Sequence, residues 1–307
     1  MATVADPSEE QILRSAVELI LDPSFSPANL DEQLGRIDPE LASFATWRAL
    51  TTLERFLPAD TPWSVRVRSL RRRSFYAHSI ALEAAARVSQ QLALTGTEHA
   101  LYGDLALALR HPNPGDRPVH AVVFTIAEDA DTSVIGNALA SFPKIMVDHV
   151  DAHRITGRIE GIELRIEKGW LPCPWYRRVP LTNQLIERPE SNPSTDQPIP
   201  LLADAAEIIR LLELGGSGAT DRTWPLDIAR LEASDAPRLA AELGRTAFLI
   251  DQWESATDLG LFQTVPAPKL RGTPGEWLKR ATTSRHRSIR RSARVAVGLL
   301  GEHPRHR

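Results

Sequence analysis

Apolar residues recur every three to four positions from Glu9 to Leu21, with Ile12, Leu13, Ala16, Val17 and Ile20 on one side, until Asp22-Pro23 ends the run. This spacing predicts an amphipathic helix. A second helix is predicted from Asp38 as N-cap, with Pro39 in its first turn, to about Leu57. A third, from Val65 to Thr95, sets Ile80, Ala84, Val88 and Leu92 at four-residue steps and stops at Gly96, a C-cap residue.

The period then changes. The runs HALY (99–102) and VHAVVFTI (119–126) are short, apolar and, in the second case, β-branched, so they read as buried strands on either side of a Pro- and Gly-rich loop. Asp131 to Ser141 reads as a helix, Lys144 to Ala152 as a strand, and Arg154 to Lys168 as a hairpin with Gly157 and Gly161 near its turn. Residues 180–200 are polar and Pro-rich, the composition of a linker. Helical patterning returns at about 201–214, 224–233, 235–244, 246–259 and 275–299, broken at Gly215-Gly216-Ser217-Gly218. The order predicts an α+β chain: an N-terminal helical cap (1–96), a core with a small mixed sheet (97–180), a linker (181–200) and a C-terminal helical domain with a basic tail (201–307).

Composition narrows the class without naming a function. With 42% hydrophobic and 24% charged residues over 307 positions, the chain is that of a globular protein, neither disordered nor fibrous. No run approaches the roughly 20 apolar residues of a membrane span, and the start, MATVADPSEE, is acidic and lacks a signal segment, so a cytoplasmic location is expected. The lone Cys173 rules out an intramolecular disulfide and a cysteine-based zinc cluster, and reads as a small packed residue. Charge is uneven: residues 1–60 carry 4 basic and 11 acidic side chains, whereas residues 269–307 carry 11 and 2.

Four segments carry a further signal. Leu101-Tyr102-Gly103 ends the first strand, and Arg117-Pro118-Val119-His120 leads into Ala121-Val122-Val123. Gly161-Ile162-Glu163-Leu164-Arg165 is followed by Trp170, and Thr223-Trp224-Pro225-Leu226-Asp227-Ile228-Ala229 begins a helix. In this order, over roughly residues 65–260, they resemble the bacterial uncharacterised nucleotidyltransferase family. That family's pattern is Leu-Lys-Gly, then Arg, three residues and Asp-x-Asp, then a carboxylate-bearing strand, then Trp-x-x-Asp-Ile-Ala. The resemblance implies a nucleotidyltransferase-like core with Glu163 as the surviving catalytic carboxylate, and Tyr102, Gly103, Asp104, Arg117 and His120 lining a ligand site. It also implies lost chemistry, because Tyr102 stands at the Lys position and Ala121 and Val123 stand at the two Asp positions. Nucleotidyl transfer sets two Mg²⁺ ions against a triphosphate, and such hard cations require carboxylate oxygens on a rigid strand. One Glu cannot hold two metals. Asp129-Ala130-Asp131 is not the displaced pair, since its acids suit the start of the following helix.

Three other constellations remain open at this level. A strand through His149, Asp151 and His153 puts them on one face, a candidate three-ligand set for Zn²⁺ or Mn²⁺, or simply a wet face, since same-face neighbours on a strand sit about 7 Å apart. Arg66, Arg68, Arg71, Arg72 and Arg73, followed by Tyr76 and His78, wrap several sides of a helix, either as its solvated start or as a phosphate or partner contact. In the tail, Lys279 and Arg280 precede Arg285, and Arg287, Arg290, Arg291 and Arg294 share one helical side opposite Ile289, Ala293, Val297 and Leu300. Such a helix suits nucleic acid, an anionic membrane surface, or docking on its own chain or a second copy.

The expectation is therefore a nucleotidyltransferase-like fold that has lost ordinary metal-dependent transfer and binds a nucleotide, a peptide or a partner protein, in what the resemblance suggests is an accessory role in biosynthesis. One alternative is an active transferase, using Mg²⁺ or Mn²⁺, rebuilt around Glu163 with Asp104, Asp116 or the His149 face. Another is a nucleic-acid-binding module acting through the basic tail.

Overall fold

The computed structural model describes residues 7–142, 144–170, 179–188, 198–217, 223–243 and 246–265. Cys173, Gly218 and the predicted helix 275–299 with its arginines lie outside the described residues. The chain is α+β with a single mixed sheet among the described residues.

Four helices come first: α1 (Pro7–Leu21), α2 (Leu30–Gly35), α3 (Phe44–Thr52) and α4 (Pro62–Leu94). The helix expected from Asp38 to Leu57 is interrupted. Asp38 accepts Glu40 N with its carboxylate and both Leu41 N and Ala42 N with its carbonyl, closing a local turn, and Ser43 then caps α3 by accepting Thr46 N. The short polar side chain competes with the helix it was expected to start. Helix α4 begins three residues before the predicted Val65, because Thr61 and Ser64 form a reciprocal capping box with Pro62 at the first helical position. At its other end Gly96 takes a positive φ of 70° and Thr97 N reaches back to Leu92 O, as the C-cap reading requires.

Strands β1 (His99–Tyr102), β2 (Ala121–Ile126), β3 (Ile145–Val150), β4 (Arg154–Ile159) and β5 (Ile162–Lys168) follow, with α5 (Asp104–Ala108) and α6 (Thr132–Ala140) between them. The segment read as a linker contributes β6 (Ile186–Glu187), which pairs with β7 (Leu201–Leu202); the sheet order is β3-β4-β5-β2-β1-β7-β6. β2 and β5 are parallel, as are β1 and β7, and the other pairs are antiparallel. The β4–β5 hairpin turns on Glu160 and Gly161, both at positive φ, which is the two-residue turn whose twist suits a hairpin. Gly157 is not at that turn. It sits in mid-strand beside the β3 irregularity at 147–149, where a Cβ would run into the Met146 carbonyl oxygen.

Four helices follow: α7 (Asp204–Ser217), α8 (Trp224–Ile228), α9 (Ala236–Glu242) and α10 (Thr246–Asp258). Helix α7 continues through the two glycines expected to break it. Alternation along the strands divides the sheet faces. Leu101, Val122, Phe124, Leu164 and Ile166 pack with α4, α5 and α6, whereas Ala100, Tyr102, Ala121 and Val123 pack with α7 to α10. A third apolar cluster joins α1, α2, α3 and the start of α4 to Leu226 of α8. No helix among the described residues is long and apolar enough to cross a membrane.

A buried ion cluster ties these layers together. Asp227 of α8, 2% exposed, accepts from Arg48 of α3 at 2.9 Å and from Arg117, in the loop before β2, at 2.9 and 3.2 Å. Arg117 also donates to the Asp104 carboxylate at 3.1 Å and its carbonyl at 2.8 Å. Two guanidiniums thus meet two carboxylates. Burial alone would raise both acids, but the Arg117 charge, joined at Asp227 by Arg48, holds Asp104 below and Asp227 well below the usual carboxylate range. Nearby, the Arg71 guanidinium lies 2.8 Å from Asp116.

Removing one member of a buried pair leaves an uncompensated charge, so Asp227→Asn should cost about 3–5 kcal/mol in urea unfolding, whereas Asp235→Asn, at an exposed Arg238 pair, should cost under about 1 kcal/mol. Acid should also destabilise the fold. Burial lowers the pKa of His78, His99 and His111, in the last case despite Asp227 at 3.6 Å. These histidines are neutral in the native state while the unfolded chain takes up protons near pH 6.5. Their contribution is complete above that value and is lost as pH falls through it toward the lower native values. Calorimetric melts should show Tm falling from pH 7 to 5, with a shallower slope in His111→Gln.

Candidate functional site

Register places the predicted site residues in rows across the sheet. Tyr102, Val123, Arg165, Thr156 and His149 are successive partners from β1 to β3; Ala121, Glu163, Arg158 and Met146 form the row on one side, and Ala100, Thr125, Glu167 and Arg154 the row on the other. Directly opposed residues share a face, here the face that α7 covers at β1 and β2. Over β3 to β5 it is open and mixed in charge.

Under α7 the site is closed. Tyr102 is buried and donates its hydroxyl to Glu167 at 2.9 Å. Burial raises its phenol pKa and the Glu167 charge raises it further, so it stays protonated. The Arg210 guanidinium stands 5.9 Å from the Tyr102 ring and donates to Glu207 at 2.6 Å, and the fully buried Glu207 accepts Gly103 N at 2.7 Å. Gly103 holds φ 77° and ψ −142° between β1 and α5, a conformation that a side chain would strain. Ala121 and Val123, where the resemblance expects metal-binding acids, are buried in the same apolar cluster as Tyr102 and Trp170.

The other predicted residues do not converge on one point. Glu163, 56% exposed, is paired with Arg165 at 3.1 Å on the open face. Asp104 and Arg117 are occupied with each other, Arg117 also with Asp227, and Asp116 with Arg71. His120 is exposed; its backbone N–H donates to Asp104 at 3.3 Å and its ring lies 6.4 Å from Phe44. The expected metal triplet does not form a strand face. β3 ends at Val150, and Asp151 shapes the following turn by accepting His153 N, Arg154 N and Arg154 Nε, with His149 Nε2 at 3.4 Å. The His153 hydrogen bond and the Arg154 contacts outweigh desolvation and lower the Asp151 carboxyl to about 2. Among the described residues no group of three or more His, Cys, Asp or Glu is arranged to hold a metal ion. Asp131 caps α6 by accepting Ser133 N and Val134 N, in keeping with its reading as a helix start.

Sequence reasoning missed Glu167, Glu207 and Arg210. The last two had a signal, since DAAEIIRLLEL carries Glu207, Arg210 and Glu213 one per turn in an otherwise apolar helix, a spacing that requires polar partners inside. In comparisons with known proteins no family model matches the chain, and neither a curated protein nor a solved structure is found similar to it.

Tyr102→Phe removes the buried donor to Glu167 and should cost about 1–3 kcal/mol in chemical denaturation. In alkaline difference absorbance, the same substitution should leave the tyrosinate signal below about pH 11 unchanged, since free tyrosines titrate near pH 10.

Proposed function

We propose that this chain is a binding protein on a nucleotidyltransferase-like sheet that has given up ordinary metal-dependent nucleotidyl transfer. The carrying observation is the packing of Ala121 and Val123 beside Tyr102 under α7, where transfer would need carboxylates and a lysine. Apolar side chains there offer neither metal ligands nor a charge for phosphate. Glu163 alone is left, neutralised in part by Arg165.

The ligand class follows from the open part of the sheet. Arg154, Arg158 and Arg165 alternate with Glu163 and Glu167 across β4 and β5, a mixed pattern that suits a peptide or protein surface better than a polyphosphate. An accessory role in biosynthesis accords with this reading. The rebuilt transferase finds less support, because Asp104 and Asp116 are both held by arginines.

Calorimetric titration of the full chain with ATP, GTP, CTP and UTP, each with and without Mg²⁺ or Mn²⁺, tests the proposal. The expected result is no metal-dependent affinity tighter than about 1 mM, a binding free energy of about −4 kcal/mol. Metal-dependent binding of one nucleotide, with transfer that disappears in Glu163→Ala, would overturn it.

A further inference from the structure

Helix α4 carries a second surface, away from the sheet face just described. Residues 61–82 contain five arginines and no acidic residue. The fold sorts those arginines. Arg66 lies over the Trp47 ring and pairs with Glu40, and Arg71 turns inward to Glu54 and Asp116. Arg68 reaches only as far as Asp60, at 3.7 Å, and Arg72 and Arg73 are exposed with no carboxylate partner among the described residues. Farther along, Glu83 is already paired with Arg87.

The same stretch exposes aromatic rings. Tyr76 is 68% and Phe75 50% exposed, their centroids 6.1 Å apart in an edge-on pair. Four-residue spacing sets Arg68, Arg72 and Tyr76 in one line along the helix, about 12 Å long, with Arg73 and Phe75 on its flanks. Ser69 and Ser79 are exposed on the same side, and the apolar side chains nearest the rings are Ile80, one turn beyond Tyr76 and 38% exposed, and Val65 at the start of the stripe, 56% exposed.

We propose that this stripe binds single-stranded nucleic acid. Unpaired guanidiniums take phosphates, and exposed rings between them offer faces on which unpaired bases stack. A duplex keeps its bases stacked on one another and would use only the arginines. A polyacidic peptide such as polyglutamate would likewise pair with the arginines and leave the ring faces unused.

The test is fluorescence anisotropy of the full chain with labelled oligothymidylate and oligouridylate of about 15 nucleotides over a salt series. Arg72→Gln with Arg73→Gln should reduce the slope of log affinity against log salt by about 1.4, at 0.7 per phosphate contact. Tyr76→Ala should weaken binding about tenfold with the slope unchanged. Both sites are exposed, and unchanged melting curves would confirm folding of the variants. Three results would overturn the proposal: no binding at low salt, wild-type affinity in both variants, as binding through the basic segment 269–307 would give, or displacement by duplex or polyglutamate as effective as by unlabelled single strand.

Discussion

A buried carboxylate can exist only where its cations are brought to it, and Asp227 makes that demand on three parts of the chain. Arg48 is 179 residues away in sequence and Arg117 is 110, so helix α3, the loop before β2 and helix α8 must all arrive before the charge is compensated. The apolar clusters around it tolerate many packings of similar volume. An ion cluster with directed hydrogen bonds tolerates very few, because any sliding of α8 separates Asp227 from both guanidiniums. The N-terminal helices are thereby fixed to the sheet and the C-terminal helices at one point. Arg117 passes this constraint on to Asp104, the first residue of α5, which follows Gly103 and Tyr102 directly.

That arrangement also decides which charged groups remain for function. Arg117, Asp104, Asp116 and Arg71 have the character of site residues, yet each is spent on the interior. Tyr102 and Glu207 are likewise consumed in holding β1 against β5 and α7. The face over β3 to β5 and the outer side of α4 keep exposed polar side chains, among them Glu163, Arg158, Arg72 and Arg73, that belong to none of these buried contacts. Function is best sought where polar groups are exposed in a pattern and not merely present in the core.

The sequence made the strands and long helices legible for a physical reason: each announces itself by local periodicity. HALY and AVVFTI read as strands because both faces are buried, and α1 and α4 because one side is apolar. The two-residue strands β6 and β7 are too short to show alternation, and the six-residue helix α2 is too short to show a helical period. The break at Ser43 was hidden because Asp38 fits either a helix cap or a local turn, and only the hydrogen bonds choose between them. Of the ion cluster, Asp104, Arg117 and Asp227 stood out in the sequence, but their pairing with one another and with Arg48 did not. Nothing local distinguishes Arg48 from any other helix arginine, and its meaning lies in a partner far along the chain. A shared strand face for His149, Asp151 and His153 would need β3 to run three residues past Val150, where the chain instead turns at Asp151.

The two exposed surfaces differ in a way that bears on partner choice. On the sheet, Arg165 has Glu163 at 3.1 Å, so an approaching polyanion meets a neutralised pair and gains little. On α4 the guanidiniums of Arg72 and Arg73 have no such neighbour among the described residues, where Asp60 and a Glu83 already paired stand at the two ends of the stripe. A ligand of mixed charge can satisfy the sheet, whereas a ligand of repeated negative charge gains most at α4. On the readings proposed above, the same arginine chemistry would serve opposite selectivities, set by whether a carboxylate stands beside it, whereas at Asp227 the arginine charge is sealed in the interior.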